Sequence, residues 1–365
     1  MPGVYISYPF CAQKCTYCNF ASDVFSGELE MRYVQALSQE IAAQDWPWRP
    51  ETVYVGGGTP SRLDPSALGK ILNAIPGAPW REATIEAAPG GITREQVAEW
   101  LRAGLNRVSL GVQSFVQREL ARTGRKHSAE IVEREVVLLR DSGLGNINID
   151  LIAGLPGQTR TSWRESLEWI ERLEPPHVSV YMLEVDEDSR LGREVLFQGK
   201  RYGAPEIPSD DLIAELYETA VAELDRIGIH RYEISNFGRP GFESLHNLKY
   251  WRLEPYLGFG ADAHSFGGGL RSQNVESAAE YVERIQQGQS PWLSSVPANQ
   301  AEERFFVGLR LSEGIRPNAE EWFRFDAPIQ RFLSEGLLAQ DGEQLRLTNR
   351  GVLLSNEVFA EFVTP

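Results

Sequence analysis

Cysteine is almost missing from this chain. Its 365 residues contain three, and all of them, Cys11, Cys15 and Cys18, lie in the stretch YISYPFCAQKCTYCNF, residues 5–20. An odd count cannot close into intramolecular pairs, and nothing is spread along the chain to staple it, so a disulfide scaffold is excluded. Long apolar runs are missing too: no stretch of about 18 apolar residues is present, which excludes an ordinary membrane-spanning helix. The first twenty residues lack a basic segment followed by an apolar one, the mark of a secretory leader. A cytoplasmic location is the expectation, with membrane contact at most peripheral. Positive charge is the scarcer sign, 36 Lys and Arg against 51 Asp and Glu, for a net charge of −15. That balance opposes attraction to phosphate backbones, and no nucleic-acid partner is expected. Internal repeats and low-complexity tracts are likewise absent.

What is present reads as an α/β protein. Short Val-, Ile- and Tyr-rich bursts occur at GVYIS (3–7), TVYVG (52–56), ATIEA (83–87), RVSLGV (107–112), INIDLI (147–152) and VSVYML (178–183). Between them, segments such as TREQVAEWLRAG and TSWRESLEWIERLEP repeat apolar positions at three and four, starting at Ser or Thr and stopping near Gly or Pro. Six strands alternating with helices predict right-handed β-α-β units and a parallel sheet. In such sheets ligands sit at the carboxyl ends of the strands. The length exceeds what a single core usually sustains, so an appended smaller module is expected.

The cysteine spacing is C-x3-C-x2-C. Three thiolates on one loop can converge on one centre, and a cubic 4Fe-4S cluster bound in this way keeps one iron without a protein ligand. A zinc site would need a fourth ligand, and the nearest histidine along the chain is His127. Three inert buried cysteines are the remaining alternative. The loop follows the first strand, and GGGTP (56–60) follows the second, where glycines admit a close backbone approach. Glu86, Gln113, Arg125 and Asp150 fall near other strand ends, where a buried polar group without a partner is costly.

These features resemble a known family. The cysteine loop is similar to the signature of radical S-adenosylmethionine enzymes. The blocks IEAAPGG, GVQSF, TGRKH and NIDLIAGLPGQ resemble the coproporphyrinogen-dehydrogenase-like branch of that superfamily. The resemblance implies a partial (β/α)6 barrel with a small C-terminal winged-helix-like α+β module. It implies a 4Fe-4S cluster on Cys11, Cys15 and Cys18, with the open iron chelating S-adenosylmethionine. It also implies cofactor contacts from Tyr5, Gly57, Gly58, Thr59, Glu86, Gln113, Arg125 and Asp150, with Arg125 facing a carboxylate and Asp150 a hydroxyl or the adenosyl part. Ser7 and Tyr8 depart from a common His-Ile pair, Asn19 from Asp and Ala88 from Asn, and none of these removes a cluster ligand.

The second half looks less regular. LGREVLFQGKRYGAPEIPSDD reads as a loop over the barrel mouth, followed by a helix at 211–228. HNLKYW, His246 to Trp251, followed by YLGFGADAHSF, resembles the haem-chaperone group within the same branch. The resemblance implies haem binding at His246, with His264 assisting or hydrogen-bonding in the barrel, whereas His127, His177 and His230 read as structural. The expected divisions are a barrel over 1–235, a connecting segment over 236–295 and the C-terminal module over 296–365, serving as an intrachain lid or docking element. The function implied is a haem chaperone that delivers haem to acceptor proteins, as a monomer or homodimer, with an electron donor if the cluster is redox-active. The alternative is a radical oxidase of coproporphyrinogen III or a related tetrapyrrole. Against it, the oxidase carries another cysteine two residues beyond the third, where this chain has Phe20.

Overall fold

The computed structural model describes residues 1–363; positions 364 and 365, the end of the expected C-terminal module, lie outside the described residues. Six parallel strands form the body of the sheet: β1 (Gly3–Tyr8), β2 (Thr52–Gly57), β3 (Glu82–Ala87), β4 (Arg107–Gln113), β5 (Asn146–Ala153) and β6 (His177–Met182). They pair in sequence order, each neighbour parallel to the last. The crossover helices bury apolar stripes on the outer face, among them Trp100 and Trp163, both fully buried. Their ends are set by side chains: Thr93 caps Arg94–Arg102, and Thr159 with Ser162 forms a capping box on Arg160–Leu173.

The sheet does not stop at six strands. β7 (His230–Arg231) and β8 (Asn236–Gly238) continue it antiparallel beyond β6. At the other edge β9 (Tyr256–Phe259) runs parallel to β1, followed by antiparallel β10 (His264–Gly267), β11 (Leu270–Asn274) and β12 (Trp292–Pro297). The segment over 236–295 is therefore no mere connector; it extends both edges of one twelve-stranded sheet. Between the two edges runs the helix Leu245–Trp251, which contains the HNLKYW motif. The stretch expected as a loop over the mouth contains a helix, Arg190–Leu196, because Ser189 caps it by accepting from the Gly192 amide and Leu191 is buried beneath it.

The C-terminal part is a separate small layer. Short helices surround the hairpin of β13 (Leu338–Asp341) and β14 (Gln344–Leu347). Phe305, Phe325, Phe332 and Phe362 pack its core. It touches the barrel through the bridges Glu233 to Leu311 and Ile234 N–H to the Arg310 carbonyl.

Candidate functional site at the strand ends

Because side chains alternate along a strand, every second residue of β1 to β6 faces the barrel interior. On β3 these are Glu82, Thr84 and Glu86; on β5, Asn146, Asn148 and Asp150. The interior is polar for this reason, while the intervening Val53, Val55, Ile85, Val108 and Ile149 are buried under the helices. Hydrogen bonds link the inward residues. Asn148 Nδ2 donates to Ser109 Oγ at 2.7 Å and to Asp150 Oδ1 at 2.7 Å, and Ser109 donates to Asp150 Oδ2 at 3.3 Å.

At the carboxyl ends the expected residues come together. The Glu86 carboxylate accepts from the Tyr54 hydroxyl at 2.9 Å and from the Gly57 amide at 3.1 Å. Burial, and secondarily the charge of Asp150, push its pKa up to about 7. Burial also raises Asp150. Tyr5 stacks on Tyr54 with ring centroids 6.1 Å apart, and a Cβ on Gly56 would lie 3.0 Å from both rings and 3.1 Å from Glu86. Gly57 has φ +116°, a conformation that favours glycine, and donates into Glu86. The Thr59 amide donates to the Phe10 carbonyl at 3.0 Å, tying the glycine segment to the cysteine loop.

The cysteine loop leaves β1 at Tyr8 and is held at both ends. Cys11 N–H donates to the Asp23 carbonyl, and Thr16 N–H to the Thr123 carbonyl. Leu191 N–H donates to the Thr16 carbonyl, so the helix missed in the sequence buttresses the loop. All three cysteines are unpaired and partly exposed. Burial raises the thiols of Cys11 and Cys18, and the neighbouring cysteines push in the same direction. Such thiols are poor free nucleophiles and suit a metal that displaces their protons. A Cβ on Gly58 would sit 2.9 Å from Cys11 Sγ and 2.8 Å from the Phe10 carbonyl, so only glycine lets the second loop lie against the first. Among the described residues no three His, Cys, Asp or Glu side chains are gathered around one point. The fit to a cluster thus rests on three thiols of one loop and on the glycine cradle beside them.

Gln113 joins this group from the end of β4, and Arg125 from the turn that follows the helix Gln117–Thr123. Arg125 donates to the Gly111 carbonyl at 2.7 Å, while its buried Nε has no partner. Although burial disfavours its charge, Tyr17 and Cys15 beside it hold the guanidinium pKa above its ordinary value. Gln113 adopts φ 71°, an unusual conformation for a residue with a Cβ, where the β4–β5 register shifts. That kink turns the strand end at the site, as strained backbone at functional positions often does.

His246 is elsewhere. Its Nδ1 lies 2.9 Å from Thr52 Oγ1 and its Nε2 2.8 Å from the Tyr250 hydroxyl, and the ring is wholly buried. Thr52 begins β2, so the imidazole sits at the amino ends of the strands, opposite the cysteine loop. Burial, then Lys249 and Arg107, lower its pKa to about 3. As the haem ligand suggested by the sequence it has no free nitrogen in this structure. Glu82 fixes the helix above it by accepting from Ser244 Oγ and the Leu245 and His246 amides. His264, expected to assist or to bond within the barrel, is exposed on β10. His127 and His177 are buried and hydrogen-bonded, and His230 pairs on the surface with Asp225. The sequence reading missed Tyr54, Tyr17 and Ser109 as site residues; taking alternate positions of each strand would have picked out all but Tyr17.

A polar half-barrel with a three-cysteine loop after β1 and a glycine cradle after β2 defines a radical S-adenosylmethionine protein. The Radical SAM superfamily model matches residues 5–170, and the HemN C-terminal domain model matches residues 297–354. The chain is 35% identical over 382 residues to the haem chaperone HemW of Bacillus subtilis (strain 168), covering all of this chain and 99% of that protein. It is 35% identical over 270 residues to haem chaperone HemW of Escherichia coli (strain K12), covering 72% of this chain and 69% of that protein. The chain belongs to the haem chaperone HemW family. Coproporphyrinogen III oxidase (HemN) from Escherichia coli, a radical SAM enzyme, shares the fold, with a TM-score of 0.85 at 21% identity over all of this chain and 90% of that one. Among the described residues no helix is long and apolar enough to cross a membrane.

Proposed function

We propose that this chain binds haem and passes it to acceptor proteins. In this reading it carries a 4Fe-4S cluster on Cys11, Cys15 and Cys18. S-adenosylmethionine is held between Tyr5, Gly57, Gly58, Thr59, Glu86, Gln113, Arg125 and Asp150. The observation that supports it most is likeness to haem chaperones along the whole chain, together with a strand-end site that keeps the polar residues the superfamily resemblance implies. A reduced cluster of this kind supplies an electron for cleavage of the cofactor's sulfonium. The chain's own residues do the rest. The glycines let the methionine end lie against backbone, and Glu86 offers a carboxylate to its ammonium. Asp150, oriented by Asn148 and Ser109, takes a hydroxyl. Arg125 balances charge beside the cysteine loop.

His246 serves in this reading as a brace of the barrel floor. Ligating iron would require it to give up either Thr52 or Tyr250 and to leave its burial. Titration of haem into anaerobically reconstituted protein, followed by the porphyrin absorption band, tests the proposal. Saturable stoichiometric binding is expected; weak, unsaturable binding would overturn it. The complete strand-end set also favours a second reading, radical oxidation of a tetrapyrrole. Deoxyadenosine formed together with a decarboxylated product under anaerobic reduction would establish that reading, and deoxyadenosine alone would not.

A further inference from the structure

Arg107 is 2% exposed, yet its Nε is wholly buried without a partner among the described residues. Its neighbours across the sheet repeat the pattern. Thr84, its register partner on β3, is fully buried with an unpartnered Oγ1. Asn146, its register partner on β5, has a buried unpartnered Oδ1. Adjacent strands lie roughly 4.8 Å apart, so three unsatisfied polar side chains stand in one row across the barrel interior, all on the inward parity of their strands.

Buried polar groups are nearly always paired, and a guanidinium cannot shed its charge by losing a proton. The carboxylates nearby do not answer it. Glu82 is spent on Ser244 and the two amides of the helix above. Asp150 feels the field of Arg107, but its oxygens are bonded by Asn148 and Ser109. Glu86 is engaged with Tyr54 and Gly57 at the far end of the interior. Asn146 is only half-buried, which gives the row a side towards solvent at the amino ends of the strands.

We infer that Thr84, Arg107 and Asn146 form a binding site for a small monovalent anion, a halide or a short carboxylate, at the closed end of the barrel opposite the cysteine loop. The guanidinium supplies the charge and the Thr84 hydroxyl a second donor. The Asn146 amide, whose oxygen and nitrogen can exchange places by rotation, supplies a third. The bound charge neutralises the barrel floor between His246 and Asp150.

The test is a crystal of the full chain soaked in sodium bromide and measured at the bromine edge. An anomalous peak in contact with Arg107 and Thr84 is expected. Only water in the row, or a carboxylate of the chain swung onto the guanidinium, would overturn the inference. Thermal melting in bromide or formate at constant ionic strength is the companion measurement. The transition is expected to rise with either anion in the natural chain and to lose that dependence in Arg107→Met. An equal response in both proteins would also overturn it.

Discussion

The replacement His246→Ala separates a structural histidine from a haem ligand. It strands the fully buried Thr52 hydroxyl and the Tyr250 hydroxyl and opens a void against the Tyr54 ring, whose centroid is 5.3 Å from the imidazole. An unsatisfied buried hydroxyl costs about 1–3 kcal/mol, so the loss should be about 2–4 kcal/mol. Urea unfolding of the haem-free protein measures it as a lowered midpoint at unchanged slope. His246→Asn, which can still reach Thr52, should recover part of the loss. Combining His246→Ala with Thr52→Val should cost less than the sum of the two, by about 1 kcal/mol, because the pair shares one bond. A variant with the stability of the natural protein but no haem affinity would refute the reasoning and restore the ligand role.

Three other outcomes follow from the geometry. The pKa of Glu86 in the fold is about 7 against 4.5 in the unfolded chain, so the fold binds the extra proton between these values. Its contribution is fullest below about pH 4.5 and is lost as pH rises through 7, by about 3 kcal/mol at most. Comparing urea midpoints of the natural protein and Glu86→Gln from pH 5 to 8 should show that loss in the natural protein only. Gly58→Ala forces a Cβ against the Cys11 sulfur and the Phe10 carbonyl and should cost about 1–3 kcal/mol and lower iron content after reconstitution. Cys15→Ala should abolish the iron–sulfur absorption while leaving the far-ultraviolet dichroism intact, because Cys15 is partly exposed on a loop outside the helices and strands.

Much of this was legible in the residues. The six parallel strands were placed within a residue or so, since Val-rich bursts between amphipathic helices leave little choice of period. The cysteine loop and GGGTP fell at strand ends because that is where a β-α-β chain must turn. The segment over 236–295 was harder to read. β7 has two residues and β8 three, too short for an alternation to register, and the pairing of β8 with β6 and of β7 with β8 is set by the fold. HNLKYW was read through its resemblance to the haem-chaperone group, and only the three-dimensional path shows Thr52 and Tyr250 at the two nitrogens of His246. The orphaned row at Arg107 was invisible because it is a relation between three strands.

The central claim is that haem is handed over and not merely released. The most direct measurement is the rate at which haem leaves the reconstituted, haem-loaded protein for the apo form of a haem enzyme, taken at increasing acceptor concentration. Handover by contact gives a rate that climbs with acceptor concentration. A rate that stays flat, equal to spontaneous dissociation into an inert haem scavenger, would contradict the account.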